Sequence, residues 1–142
     1  MINELLLGNE FPDYAIKLIN NARVCIDILV YEWRFYPDEP ANPTQRFTNA
    51  IIAAKDRGVK VRAAIGKAPF SSIQQQTQIP IRVLPGSFKV HSKVMIIDRQ
   101  IAIFGSHNYS LSAFTTNHEI SLVTDDIEIV TELFNYINPT LS

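Results

Sequence analysis

The order of helical and extended patterns along the chain predicts an α/β fold, a mixed β-sheet flanked by helices. Two observations carry that expectation. Helix-like stretches run straight into β-rich runs, the order that joins parallel strands by crossovers. Further on, two extended runs are separated by Arg99 and Gln100 alone, which calls for an antiparallel hairpin. There is no repeat and no low-complexity tract. The 142 residues, 46% of them hydrophobic, suffice for a single domain over residues 1–142 with a sizeable core.

The first helix is expected at "FPDYAIKLINNA", from its Pro-Asp start and apolar spacing, and the first strand at "RVCIDILVYEW". Pro37, Pro40 and Pro43 in "RFYPDEPANPTQ" exclude regular structure and set a long loop. "TQRFTNAIIAAKDRG" reads as a helix from a Thr44 cap to a Gly58 stop, with the strand "VKVRAAIG" behind it. "KAPFSSIQQQTQ" reads as weakly structured and "IPIRVLPG" as a short strand. The hairpin "FKVHSKVMIID" and "IAIFGSHNYS" follows, then the strand "HEISLVT". "DDIEIVTELFNYI" closes the chain as a helix, with an acidic first turn and Pro139 beyond its end.

The formal net charge of −1 is not that of a strongly basic nucleic-acid binder, but it hides a split. Between positions 55 and 99 stand nine Lys or Arg against Asp56 and Asp98, a local +7, and after Arg99 there is no Lys or Arg at all. Such a field collects polyanions, although an unevenly charged solvated surface accounts for it equally well. The lone Cys25 lies in an apolar run, cannot form an internal disulfide, and reads as a core residue in a reducing compartment. "MINELLLGNEFPDY" has neither a basic leader nor a span-length apolar run, so a cytoplasmic location and no membrane span are expected.

The hairpin carries polar residues where apolar ones would pack. In a strand, residues two apart share a face, so His91 and Lys93 point together, as do Ser106 and Asn108. A turn centred on Arg99 and Gln100 makes opposed residue numbers sum to about 199 or 200, placing His91 near Asn108 and Lys93 near Ser106. Taken singly, each has a plain reading as core histidine, snorkelling lysine or turn. Together, among Val, Ile and Met, they are costly to bury without a partner, and the partner is expected to be an anion. Asp98 lies about 23 Å along the strand from His91, at the turn, and reads as structural. His107 and His118 alternate away from the patch and read as surface or packing histidines.

The set His91-x-Lys93-x4-Asp98-x6-Gly105-Ser106-x-Asn108 resembles the HxKxxxxD…GSxN motif of the phospholipase D superfamily. The resemblance extends over residues 24–123. "IDILVYEWRF" and "AIIAAKDRGVKVRAAI" are similar to the family's first strand and following helix-strand unit, and Glu119 stands where the family places an acidic residue beside the nucleophilic histidine. One motif is present where the family's common enzymes have two, and the Pro-rich loop is longer than usual. The resemblance implies a phospholipase D-like α/β sandwich and a phosphodiesterase without metal or cofactor, working through a phosphohistidine intermediate. In it His91 is the nucleophile, with Lys93, Ser106 and Asn108 on the phosphate oxygens. Glu119 accepts a proton from the other imidazole nitrogen, and Asp98 and Gly105 are structural parts of the motif. Single-motif members pair as symmetric dimers, so the resemblance further implies a homodimer in which His91 of a second copy completes the site.

Nucleic acid, DNA or RNA, is the expected substrate, from the basic segment and from Trp33, Phe35, Tyr36, Phe70 and Tyr109 in or beside loops where bases could stack. Core packing accounts for more than half of those aromatics. The alternatives are a hydrolase of cardiolipin-type phospholipids, for which "NELLL" is too short an anchor, and a non-catalytic phosphate-binding module, which would not require a nucleophile.

Overall fold

In the computed structural model, which describes residues 1–67 and 78–142, seven strands form one mixed sheet in the order β1-β7-β6-β5-β2-β3-β4. The strands are β1 (Asn3–Leu7), β2 (Cys25–Val30), β3 (Lys60–Ile65), β4 (Ile81–Val83), β5 (Lys93–Ile97), β6 (Ile101–Gly105) and β7 (Ile120–Thr124). β2, β3 and β4 run parallel to one another and the other pairings are antiparallel. The helices are α1 (Phe11–Asn20), α2 (Pro43–Asp56), the short α3 (Leu111–Thr115) and α4 (Ile127–Ile137).

Each face of the sheet has its own apolar cluster. Alternation in β2 sends Ile26 and Ile28 to the α1–α2 side, with Phe11, Ile19, Phe47 and Ile51. It sends Leu29 to the other side, where it clusters with Ile96 and Ala102 of the sheet and Val130 and Ile137 of α4. Asp27 shares that second face, 1% exposed, and is held by Arg62 Nε at 2.9 Å.

Several sequence expectations shift by local chemistry. The cap of α2 is Asn42, whose side chain accepts the Thr44 N–H at 2.9 Å, while Thr44 lies buried in the first turn. Pro43 occupies the first helical position, where its missing N–H costs nothing. Strand β1 and helix α3 were not expected. β1 has one inward residue, Leu6, so its three leucines show no period-2 signal, and it is held by antiparallel pairing with β7. The weakly structured stretch expected around residues 68–77, with Phe70, lies outside the described residues.

The hairpin turn also differs. Ile97 pairs with Ile101 and Val94 with Phe104, so opposed numbers sum to 198. The connection is therefore Asp98, Arg99 and Gln100. Gln100 N–H donates to the Ile97 carbonyl at 2.9 Å, with Asp98 and Arg99 at φ 55° and 53°, the left-handed pair of a type I′ turn. Asp98 tolerates that conformation because its carboxylate accepts three backbone N–H groups, from Arg23, Val24 and Cys25, at 2.7 to 3.2 Å. The turn thus clamps the entry of β2.

The clamp gives a stability prediction. Asp98→Ala leaves those three N–H groups without their charged acceptor and is expected to lower unfolding free energy by about 2 kcal/mol. Urea denaturation of the two proteins measures it, and equal midpoints would show that the clamp contributes nothing.

Candidate active site at one end of the sheet

The end of the sheet opposite Asp98 collects the motif. Val30 pairs with Lys93, Gly105 with Ser121 and Leu7 with Ile120, so the exits of β1, β2 and β6 meet the entries of β5 and β7. Ligands of α/β sheets favour this position, beyond the carboxyl ends of parallel strands.

The strand periods expected to align the polar residues stop short of them. β5 begins at Lys93 and β6 ends at Gly105, so His91, Ser106 and Asn108 all lie beyond regular pairing. The strand register therefore does not set the direction of these three side chains. Asn108 is placed by a second connection: Arg34 N–H donates to the Tyr109 carbonyl at 2.8 Å and Tyr109 N–H to the Glu32 carbonyl at 3.0 Å. Within it, Asn108 Oδ1 accepts the Glu32 N–H at 3.1 Å, which leaves the amide NH₂ as a donor.

Lys93 Nζ donates to the His91 carbonyl at 2.7 Å and keeps two N–H donors free of that bond. The His91 ring is exposed and makes no hydrogen bond among the described residues. It lies parallel to the Tyr31 ring, at 8° and 6.3 Å between centroids. The expected bond between Glu119 and the His91 ring is not formed. Glu119 accepts instead from the Ser106 hydroxyl at 2.6 Å and from Asn117 Nδ2 at 3.1 Å, and Ser106 Oγ in turn accepts the Ile120 N–H at 2.9 Å. The Ser106 donor and the Glu119 acceptor satisfy each other.

Gly105 is required by a close approach. A Cβ there would collide with the Ile120 carbonyl and stand 2.5 Å from Ser121 Cα, so any side chain would separate β6 from β7 beside Ser106.

His107 is buried and removed from the site. Its Nε2 lies 2.8 Å from the Gly8 carbonyl and its Nδ1 2.7 Å from Ser121 Oγ. A carbonyl only accepts, so Nε2 carries the proton and Nδ1 accepts the hydroxyl. Burial holds its pKa below the usual 6.5, against the opposing pull of the Gly8 carbonyl and the Glu119 charge. His118 is exposed and lines a groove with Glu119 between β1 and α3.

The expected basic field is dispersed. Arg57 donates to the Ile19 and Ala22 carbonyls at the end of α1, Arg62 pairs with Asp27, and Arg99 stacks over Phe134 at 4.3 Å. Lys67 and Lys89 line a hollow of about 570 Å³ with Tyr31 and His91, and Lys93 stands beside it. The aromatics divide similarly: Trp33 and Tyr109 are core, at 2% and 1% exposure, and Phe35 packs against them.

Sequence reasoning missed Tyr31, Glu32 and Lys67, which flank the site. Glu32 binds Lys67 Nζ at 2.9 Å and Arg34 Nη2 at 3.3 Å. Burial alone would raise its carboxyl, but those two cations outweigh it and hold the pKa below the ordinary range. Their signal was position, immediately after the ends of β2 and β3.

A family model described as a cardiolipin synthase, PLD-like domain matches residues 15–140 of this framework. The chain belongs to the phospholipase D superfamily. This phospholipase D-like domain is 36% identical over 100 residues to a phospholipase D of Rickettsia felis, covering 64% of the chain and 49% of that protein. It is 30% identical over 101 residues to the probable cardiolipin synthase YwiE of Bacillus subtilis, covering 64% of the chain and 20% of that protein. It thus spans about half the length of the Rickettsia relatives that it matches. Among solved structures, NucT from Helicobacter pylori superimposes with a TM-score of 0.75 at 25% identity, over 97% of this chain and 94% of that one. Nuc from Salmonella typhimurium, a phospholipase D family member, shares the fold with a TM-score of 0.76 at 21% identity, over 97% and 93% of the two chains. Among the described residues no helix is long and apolar enough to cross a membrane.

The buried imidazole predicts a pH effect. Between pH 6.5 and its lowered native value, the unfolded chain binds a proton that native His107 does not, so its stability contribution is present above 6.5 and lost below. The urea midpoint of the parent is expected to fall more steeply than that of His107→Gln as pH drops from about 6.5 to 5. Parallel curves would show that His107 is not held neutral.

Proposed function

We propose that the domain is a phosphodiesterase that cleaves nucleic-acid phosphodiesters through a phosphohistidine, at a site completed by a second copy of the chain. The observation that carries this reading is the His91 ring, exposed and free of hydrogen bonds among the described residues, at a sheet end where Lys93, Asn108 and Ser106 all supply donors. A histidine kept only for packing would be buried and bonded, as His107 is.

The unprotonated His91 ring nitrogen attacks phosphorus and the bond to the leaving oxygen breaks. Lys93 and the Asn108 amide bind the oxygens on which charge develops. The Ser106 hydroxyl turns from Glu119 to a phosphate oxygen, and the freed carboxylate accepts the imidazole N–H, holding the tautomer. The leaving oxygen takes a proton from His91 of the second copy. Water then attacks the phosphohistidine and returns a proton to that same ring, releasing the phosphate monoester.

A phospholipid substrate is the second reading. It is favoured by the names of the sequence relatives and by Leu5, Leu7 and Ile120, which are exposed side by side on β1 and β7. The same chemistry serves either diester.

Among the described residues no three His, Cys, Asp or Glu side chains lie together as metal ligands. The steps above use only His91, Lys93, Ser106, Asn108 and Glu119, so cleavage is expected to persist in excess chelator when plasmid, single-stranded DNA, RNA and cardiolipin vesicles are assayed in parallel. Loss on chelation with rescue by a divalent ion would overturn it. His91→Ala should lower turnover at least about a thousandfold while binding largely survives.

Mixed dimers test the shared site. If both copies of His91 are needed, co-refolding equal amounts of parent and His91→Ala chains leaves about a quarter of dimers competent, and activity follows the square of the parent fraction. A straight line, read well above the dimer dissociation constant, would show that one chain suffices.

A further inference from the structure

Beyond His91 the surface carries a second feature that the catalytic reading does not use. The hollow containing Tyr31, Lys67 and His91 shares Phe88, Lys89 and Val90 with a smaller one of about 240 Å³ that reaches Tyr136 and Thr140. Tyr31, Phe88 and Tyr136 are 39%, 49% and 76% exposed, unusual values for rings of that size. Gly66 keeps the first hollow open, because a Cβ there would stand 2.9 Å from Val90 Cβ and 3.1 Å from Tyr31 Cδ1.

The charge of this path has one sign. Among the described residues, those lining the two hollows include Lys67 and Lys89 and no carboxylate. Lys67 is paired with Glu32, whereas Lys89 is exposed and makes no ion pair among the described residues. Exposed rings beside an unpaired lysine suit a chain of bases and phosphates. Ring faces stack on base faces, which a strand offers only when it is not paired in a duplex.

We propose that Phe88, Lys89 and Tyr136 form a track for single-stranded nucleic acid, leading from His91 to the last turn of α4. The track rests on the nucleic-acid reading of the site and names the form of strand it takes. Lys89 contacts the backbone next to the phosphodiester under attack, and Phe88 and Tyr136 stack the bases that follow. A duplex, with its base faces hidden, gains only the lysine contact.

The His91→Ala chain, which leaves its probe intact, provides the test. Affinity is measured for an oligothymidylate of about ten nucleotides and for an abasic sugar-phosphate chain of equal length. The oligothymidylate is expected to bind more tightly. Adding Phe88→Ala or Tyr136→Ala should weaken it by about fivefold to a hundredfold and leave abasic binding in place, while Phe88→Tyr and Tyr136→Phe restore the difference. Lys89→Ala should weaken both probes and reduce the salt dependence of binding. Equal affinity for the two probes, or a difference that survives both alanine variants, overturns the track. So does binding to vesicles of phosphatidylcholine and cardiolipin that depends on Phe88 and Tyr136 without any base discrimination, which would assign the surface to lipid. Cleavage by the parent is read separately: cleavage without discrimination removes only the track, and discrimination without cleavage removes only the catalytic reading.

Discussion

The packing of Trp33 against Tyr109 is the contact on which the geometry of the sheet end depends. Their rings meet edge to face at 5.5 Å, and Phe47 joins Tyr109 at 4.6 Å. Such pairs contribute about 0.5–1.5 kcal/mol each beyond the area they bury. Trp33 Nε1 donates to Thr48 Oγ1 at 3.0 Å, so the indole is satisfied where it is buried. This aromatic cluster fixes two segments that have left the sheet, one after β2 and one after β6, in a short parallel bridge. Asn108 and Glu32 lie on it and Tyr31 just before it, so polar groups outside regular structure are positioned by apolar ones inside the core.

Electrostatics at this end follow from which charges are already paired. Glu32 binds Lys67 and Arg34, and its carboxyl stays ionised because those cations outweigh the cost of burial. Among the described residues, Lys93 is tied only to a backbone carbonyl and Lys89 to no acid, so neither lysine is held in an ion pair. Ser106 and Glu119 differ in being bonded to each other. The neutral His107, locked between Gly8 and Ser121, adds no charge here and ties β1 to β7.

The two ends of the sheet are held by different contacts. At one, the Asp98 carboxylate gathers three N–H groups and holds the hairpin turn against the entry of β2. At the other, Gly105 lets β6 and β7 close together and carries Ser106 to Glu119. Both belong to one continuous stretch of sequence, but about five residues of extended chain keep them some 15 Å or more apart.

What the sequence determined by itself was local and periodic. The α/β class, the parallel β2-α2-β3 unit, the hairpin and the closing helix followed from hydrophobic period, caps and connection length, which depend on neighbours in the chain. The spacing of His91, Lys93, Asp98, Gly105, Ser106 and Asn108 was legible in the same way. Tertiary structure decided the rest. β1 has only one buried side chain and exists because β7 offers it an edge. The left-handed turn at Asp98 depends on N–H groups more than seventy residues away. Whether a cation of the basic segment faces the site or is consumed by a helix end, an aspartate or a ring depended on contacts between distant segments, as did the removal of Trp33 and Tyr109 into the core. Pattern along a chain reports which face a residue prefers, but a partner that arrives by folding decides what that residue meets.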